Sequence, residues 1–481
     1  MEASSYEPLA CEDAKTPGLE SDERLAPLSI IEELLHHMRL AGPLIFTHLM
    51  DYLPGMTNIV LVAQFQGPEV DANVTAVALS TMFLNLTSIS LGMGLCSAVG
   101  ILSAQAYGAG NMKLFNAYIH AAGLGMLMTM LPVAWLNWKA ESILTYLGHD
   151  AAIAGKAASF TRISTIGLPF FFSFEIVRKL LQAHSTVDAM AVISLASNVI
   201  HVGAGYYLTH ETSCGFTGPA IGRVVANMSL LVFVAVYFHF KPTYKAWDLH
   251  WTPRLAATHL AEFFHFGMPG AIILWVEFGS FEILSMLATR LSNPREQTRV
   301  TTVLSHLLSV MYMIYFGIST ASMVRVGNMI GANRPHAAKT IMRISFGLVT
   351  ICLACTITTI ASLRETIAGA FFADSGVIHS AKKLLLYILP LHALSSYNSN
   401  AQGVLRGMGQ PGVAAFINAA CICCIGLPLS AMLGIQQDQG LSGLWLGFTV
   451  GSAASFVLFS VVLASADWHK QAADAAKARR L

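Results

Sequence analysis

Long apolar segments restrict what this chain can fold into more than any other feature of its sequence. The hydrocarbon core of a bilayer is about 30 Å thick, so one helical crossing needs about 20 mostly apolar residues. Apolar stretches bounded by charged residues or by Gly and Pro clusters predict twelve crossings, and only 11% of the residues are charged, against about a quarter in soluble domains. The fold class predicted is therefore an all-α polytopic membrane protein. The twelve segments lie near residues 40–65, 72–104, 113–138, 154–182, 186–209, 216–240, 259–290, 298–324, 337–362, 378–406, 411–434 and 440–465.

The charged residues between these segments predict the orientation of the chain. Residues 1–39 contain nine Asp and Glu but three Lys and Arg, with no apolar core before a cleavage site, so we expect an acidic cytoplasmic tail and no secretory signal. With alternating sides, about 18 Lys and Arg fall in cytoplasmic segments and about 8 outside, as the positive-inside rule requires. Residues 466–481 would then form a basic cytoplasmic tail, and both termini would be cytoplasmic.

The two halves of the sequence repeat one another. Pro43 followed by Asp51 matches Pro269 followed by Glu277 at an offset of 226. Landmarks in one order at nearly one offset indicate two homologous six-helix bundles, with an N-lobe at 40–240, a cytoplasmic linker at 241–258 and a C-lobe at 259–465. A parallel repeat of this kind places a cavity between two lobes, as in transporters. Further matches pair residues 107–109 with 330–332, 168–169 with 389–390, 181–183 with 405–407 and 218–222 with 443–447.

Five segments resemble a known family. They are SAQAYGAGN (103–111), SLASNVIHVGAGYYL (194–208), WVEFGSFE (275–282), VRVGNMIGAN (324–333) and GVLRGMGQ (403–410). They are similar to motifs of the multidrug and toxic compound extrusion (MATE) family, particularly of its eukaryotic branch, and the similarity runs from about Leu40 to Trp468. The resemblance implies a twelve-helix, two-lobed antiporter that expels organic cations in exchange for H+ or, in some members, Na+.

The resemblance and the composition together predict partners and location. We expect small organic cations as substrates, no cofactor apart from the coupling ion, and no nucleic-acid partner. The protein would be a monomer surrounded by membrane lipid, in the plasma membrane or in an acidic endomembrane compartment.

Two acids in the seventh predicted span are the first candidate site residues. A carboxylate at the bilayer centre costs about 2.5–3.5 kcal/mol on insertion scales, so Glu277 and Glu282 need a reason to be there. The functional interpretation is that Glu277 faces the cavity and binds either a proton or a cationic substrate, and the resemblance implies the same role for Glu282. The alternative is a structural acid that is hydrogen-bonded to a neighbouring helix. Five residues correspond to about 140° beyond a full turn, so both acids can face one cavity only if it is wide or the helix bends.

The resemblance also draws attention to positions where this chain departs from the family. His306, in the eighth span, replaces an acid of eukaryotic members. It could be a second proton site, an ion-pair partner of a glutamate in the seventh span, or a buried histidine that donates to a carbonyl. The acid that the family carries in the tenth span would fall on Ser395 or Ser399.

Asp51 is the counterpart of Glu277 in the repeat. It could belong to a cation or proton site in the N-lobe, or it could be satisfied by amides such as those of Asn85 and Asn198, which match family positions in this lobe. Pro54 removes a backbone donor and frees the carbonyl of Met50, so the helix could bend beside the acid.

Aromatic residues near the two glutamates suggest a pocket for soft cations, which bind aromatic faces with about 0.5–2 kcal/mol each. We select Trp275, Phe278 and Tyr312, of which Tyr312 also matches a family aromatic. For any single ring, contact with lipid or core packing is the alternative. Glu175 and Arg178, three residues apart, predict a local ion pair.

Three other classes of function compete with this prediction. An intramembrane enzyme would need a catalytic motif, and the sequence contains neither G-x-S-x-G nor H-E-x-x-H. A flippase for lipid-linked oligosaccharides would need several basic residues in its cavity, but Arg162 and Arg223 are the only cations inside the predicted spans apart from those near helix ends. A Na+-coupled exporter differs from the main prediction only in its coupling ion.

Overall fold

The computed structural model describes residues 30–64, 69–247, 249–250, 253–371 and 375–479, and all regular structure in these ranges is helical. Helices are expected because a bilayer offers no partners for free backbone N–H and C=O groups. Among the helices in these ranges, ten are long and apolar enough to cross a membrane, and a bent pair counted as one span gives eleven. The more polar Ile30–Ala63 completes the twelve predicted spans. Numbered α1 to α12, they are Ile30–Ala63, Val70–Gly108, Met112–Trp138, Ala151–Ala183, Asp188–His210, Gly218–Phe240, Pro253–Ala288, Pro294–Gly331, Pro335–Phe371, Ser375–Tyr387 with Leu389–Gly407, Pro411–Gln436 and Gly440–Ser465.

Several helices are longer than the apolar stretches that predicted them. α1 begins at Ile30 rather than near residue 40, α7 begins at Pro253 rather than near 259, and α8 ends at Gly331 rather than near 324. Hydropathy marks the part of a helix that suits hydrocarbon, whereas backbone hydrogen bonding continues into polar ends such as those that carry Glu33 and Arg325.

The segments outside the membrane helices also contain short helices. A 3₁₀ turn at Thr243–Trp247 lies in the predicted linker, and Trp468–Arg479 of the predicted C-terminal tail is helical. Residues 1–29 of the predicted acidic tail lie outside the described residues.

The N-lobe (α1 to α6) and the C-lobe (α7 to α12) pack tightly at the end of the bundle where α1 begins and α8 ends. A Cβ atom at Gly108 would overlap the backbone of Asn328, and one at Gly331 would overlap the backbone of Gln105. Glycine permits this close approach between helices. The side chain of Gln105 also donates to the carbonyl of Gly407 at 3.0 Å, from one lobe to the other. We call this the closed end.

Polar and apolar contacts reinforce the closed end. Arg325 of α8 donates from Nε and Nη2 to the two carboxylate oxygens of Glu33 in α1, at 2.9 and 2.7 Å. A buried apolar cluster next to this pair includes Leu44 of α1, Ile101 of α2 and Val324 of α8, and so spans both lobes.

Candidate functional site

A cavity of about 1110 Å³ lies between the two lobes. It extends from His149 and Thr289, at the end opposite the closed end, to Lys179 and Arg406 near the closed end. Pockets for drug-sized ligands are typically about 300–1,000 Å³, so this one has room for a drug-sized molecule with some water. Most of the predicted site residues contribute to its wall, namely Asp51, Asn85, Glu277, Phe278, Glu282, His306 and Tyr312.

Glu277 lies half-buried in the C-lobe wall of the cavity. Its Oε1 accepts a hydrogen bond from the Tyr312 hydroxyl at 2.9 Å, and Gln402 lines the cavity with it. Within the described ranges, no Lys, Arg or His side chain forms an ion pair with it within 4.0 Å. The carboxylate is therefore oriented by a neutral hydroxyl donor and remains accessible from the cavity.

Glu282 lines the same cavity five residues further along α7, which is about 7.5 Å farther from the closed end along the helix axis. Both acids therefore line one cavity. The five-residue spacing allows this only where the cavity is wide or the helix bends.

Asp51 has a different environment from Glu277, although the repeat pairs the two. Its Oδ2 accepts a hydrogen bond from Nη1 of Arg178 at 2.8 Å and lies 3.4 Å from Nδ1 of His48. Arg178 also contacts Glu175 at 2.5 Å, which confirms the predicted local ion pair. The expectation that the amides of Asn85 or Asn198 satisfy Asp51 is wrong, because helix packing brings the guanidinium of α4 to it instead.

Asn198 lies outside the cavity lining. Its Nδ2 donates to the carbonyls of Met50 at 3.0 Å and Ser194 at 2.9 Å. Proline has no backbone N–H, so Pro54 leaves the carbonyl of Met50 without its helical hydrogen-bond donor. Asn198 therefore supplies a donor to the carbonyl that Pro54 leaves without one, and its side chain is not part of the cavity wall.

Trp275 also lies outside the cavity lining, because its side chain crosses from α7 to the other lobe. The indole Nε1 donates to the carbonyl of Leu86 at 2.6 Å. Leu86 belongs to a π-helical turn, Asn85–Ile89, within α2. Such turns leave backbone groups to be satisfied from outside the helix, so Trp275 joins the lobes at the edge of the cavity.

His306 is exposed to the cavity and also joins the lobes. Its Nδ1 lies 2.6 Å from the hydroxyl of Tyr52 in α1. The partner of the imidazole is therefore a tyrosine of the N-lobe rather than Glu277 or Glu282. The two residues are 254 positions apart in the chain, and no sequence pattern indicated their contact.

Sequence reasoning missed two cations of the cavity, Lys179 of α4 and Arg406 of α10. Their side chains are 6% and 7% exposed, and both line the cavity together with the predicted intramembrane cation Arg223. They lie at the ends of the predicted spans 154–182 and 378–406, so they were assigned to helix ends. The acid that the family carries in the tenth span would fall on Ser395 or Ser399, and Ser395 lines the cavity.

Known proteins share this architecture. The MatE family profile matches residues 43–207 and 269–432, one stretch in each lobe, with starting points that differ by 226 as in the repeat. Protein DETOXIFICATION 17 of Arabidopsis thaliana is 26% identical over 464 residues, 96% of this chain and 96% of that protein. Multidrug and toxin extrusion protein 1 of Danio rerio is 26% identical over 454 residues, 94% of this chain and 75% of that protein. The solved structure of the eukaryotic MATE transporter AtDTX14 has a TM-score of 0.87 at 23% identity, and the match covers 94% of this chain and 99% of that one.

Proposed function

Because the chain belongs to the MatE family, we propose that it is a secondary active antiporter that expels organic cations in exchange for protons. Relatives at 26% identity are named for detoxification and for multidrug and toxin extrusion, which supports the export of drug-like compounds. The position and surroundings of Glu277 carry the proposal further, to the coupling ion and to the charge of the substrate.

Glu277 is suited to exchange because its charge has no fixed partner. Asp51 in the N-lobe is held by Arg178 at 2.8 Å, so a cation from solution would have to displace a buried guanidinium. Glu277 has a tyrosine hydroxyl as its neighbour instead. A mobile cation can therefore neutralise this carboxylate without breaking an existing ion pair.

Proton and substrate would compete for this carboxylate. A partly desolvated carboxylate can stabilise one proton or one substrate cation, but holding both would leave an uncompensated positive charge in a low-dielectric wall. Exchange follows from that competition. Phe278 and Tyr312 stand beside the acid in the wall, and aromatic faces suit organic cations of varied shape.

The closed end supports the proposed direction of transport. Both termini of the described chain emerge at that end, and the sequence predicts that they are cytoplasmic. The cavity in this conformation would then open to the outside, where substrate leaves and protons enter. Rocking of the two lobes would open the other end to the cytoplasm.

Transport by the purified protein in liposomes tests the proposal. Uptake of a fluorescent organic cation should follow an imposed pH gradient and should not respond to a Na+ gradient at constant pH. The opposite response would assign the protein to the Na+-coupled exporters, and transport that ignores both gradients would reject ion-coupled antiport.

Binding measurements test the competition itself. Affinity for the organic cation should weaken as pH falls, by up to about tenfold per unit if one proton competes for one cation. Substrate binding should also release protons into a weakly buffered solution. An affinity independent of pH, without proton release, would rule out competition.

A further inference from the structure

A second cleft lies on the outer surface of the C-lobe, away from the cavity between the lobes. α9 and α12 both pack against α10, and this cleft of about 330 Å³ lies between them. Its wall comes from the first turns of α9, the middle of α10 and the last turns of α12. In the described part of the chain, it shares no lining residue with the inter-lobe cavity.

The surface around the cleft faces lipid. Val457 and Val461 of α12 are 56% and 58% exposed, and they follow directly on the lining residues Phe456 and Ser460. Exposed apolar side chains within a membrane span, outside any water-filled cavity, are covered by acyl chains. The cleft is therefore open to the bilayer from the side.

Three aromatic rings, one from each helix, form a continuous apolar floor in the cleft. The ring of Tyr397 in α10 stacks on that of Phe346 in α9, with centroids 6.3 Å apart, and lies 5.7 Å from that of Phe456 in α12. The Tyr397 hydroxyl lies 3.0 Å from the hydroxyl of Thr350, so its polar end is already hydrogen-bonded within the protein. We call the three rings the aromatic floor, and it suits a hydrocarbon chain.

Two exposed cations stand in the α9 wall of the cleft. Lys339, Arg343 and Phe346 recur at spacings of four and three residues, so they lie on one face of the helix. Both cations are exposed and line the cleft. Within the described ranges, neither forms an ion pair within 4.0 Å.

The three helices supply no acid to balance these cations. α10 and α12 contain no Asp or Glu in their described parts, and the only acid of α9 is Glu365. Glu365 lies about 33 Å from Arg343 along the helix axis and pairs with Lys382. Asp467, just after α12, accepts a hydrogen bond from the backbone N–H of Lys470 at 3.0 Å and so caps the C-terminal helix. The cleft is therefore a basic site with an apolar floor.

The two cations lie where the helices leave the membrane at the closed end. Pro335 begins α9 a few residues after α8 ends there, and α12 ends at Ser465, next to the lining residue Ala464. The ring of His469 in the C-terminal helix lies 4.9 Å from that of His336. From Lys339 to Phe346 the cleft then extends about 10 Å along α9, about a third of the 30 Å hydrocarbon core.

We propose that this cleft binds one phospholipid with an anionic headgroup, from the leaflet at the closed end. The headgroup lies at Lys339 and Arg343, and one acyl chain lies on the aromatic floor. A zwitterionic headgroup cancels the charge of its own phosphate and leaves the two cations without compensation, so charge complementarity selects an anionic lipid. Basic pockets between membrane helices on the cytoplasmic side suit such headgroups. The occupant is a lipid rather than a transported compound, so this inference is independent of the proposed function.

Native mass spectrometry of the purified full-length protein tests the charge requirement without transport. The protein would be titrated in detergent with palmitoyl-oleoyl phosphatidylserine and, separately, with the phosphatidylcholine that has the same two chains. The wild type should bind phosphatidylserine more tightly. The double variant Lys339→Gln with Arg343→Gln should weaken that binding by about thirtyfold, which corresponds to about 2 kcal/mol, since each basic group near an anionic headgroup contributes about half of this.

Photocrosslinking tests the location of the chain. A phosphatidylserine analogue with a diazirine in one acyl chain should label the peptides that carry Phe346, Tyr397 or Phe456. Ser460→Leu keeps both cations and places a larger side chain in the cleft, so it should reduce this labelling.

Two controls separate the site from surface charge in general. Lys339→Arg with Arg343→Lys keeps both charges and should retain the preference for phosphatidylserine. Lys113→Gln removes an exposed cation at the start of α3, which lines neither the cleft nor the inter-lobe cavity, and it should bind both lipids as the wild type does.

Several results would overturn the inference. Equal affinity of the wild type for the two lipids would do so, as would unchanged binding of phosphatidylserine in the double variant. Labelling confined to other helices would place the lipid elsewhere. Displacement of phosphatidylserine by an equal concentration of glycerophosphoserine, which has the headgroup without acyl chains, would identify a site for soluble phosphate esters instead.

Discussion

The ion pair between Glu33 and Arg325 offers a direct test of what holds the lobes together. Glu33 lies at the start of α1 in the N-lobe, and Arg325 lies near the end of α8 in the C-lobe. The pair can exist only while these two helix ends meet. We therefore expect Glu33→Gln to shift the protein towards the conformation in which the closed end is open.

The geometry sets the size of the effect. The two hydrogen bonds measure 2.9 and 2.7 Å, and the Glu33 side chain is 3% exposed against 11% for Arg325. Removing one partner of a buried ion pair costs about 3–5 kcal/mol, because the other charge is left uncompensated. Arg325 retains some contact with water, so we expect a cost at the lower end of this range, about 3 kcal/mol. That cost corresponds to about a hundredfold change in the equilibrium between the closed and open arrangements of the lobes.

Pulsed electron paramagnetic resonance can measure that change. Spin labels at Lys113 and Ala332, both exposed and in different lobes, would report the distance across the closed end. The Glu33→Gln variant should add a longer distance to the distribution. The charge swap Glu33→Arg with Arg325→Glu should restore the short one.

The matched control is Glu141→Gln, which breaks an ion pair with Arg162 inside one lobe. It should leave the distance distribution as in the wild type. A folded Glu33→Gln variant with unchanged distances would refute the reasoning and would assign closure to the glycine contacts and the apolar cluster.

Three further predictions follow from the site and from the closed end. Glu277→Gln should keep normal membrane abundance and lose uptake driven by a pH gradient, and wild-type rates would remove this residue from coupling. His306→Glu should shift the pH optimum of transport and His306→Asn should flatten it, whereas unchanged profiles in both would assign the histidine to packing. Gly108→Ala should open the closed end in the same spin-label measurement, because its methyl group would overlap the backbone of Asn328, while Gly123→Ala meets no atom within 4 Å and should have no effect.

The helix count and the two-lobed organisation were predictable from the sequence because they follow from local and periodic properties. Hydropathy over about 20 residues predicts a crossing, and a repeat at one offset predicts two similar bundles. The family profile starts at 43 and again at 269, as that repeat requires. Glu277 was found in the same way, since an acid in an apolar span is conspicuous without any knowledge of its neighbours.

Helix ends were less predictable. α1 is helical from Ile30, about ten residues before its apolar stretch, because hydrogen bonding along a helix does not depend on hydropathy. Glu33 was therefore assigned to a tail, although it forms one of the main contacts between the lobes.

The sequence by itself determined which residues could carry charge inside the membrane, and the tertiary structure decided which of those charges meet. Asp51 and Glu277 are equivalent in the repeat, yet Arg178 neutralises the first at 2.8 Å and a tyrosine hydroxyl orients the second. Lys179 and Arg406 line one cavity although 227 positions of the chain separate them. Such meetings depend on the rotation of each helix about its axis and on the contact between the lobes, and neither is encoded in the periodicity of a single segment.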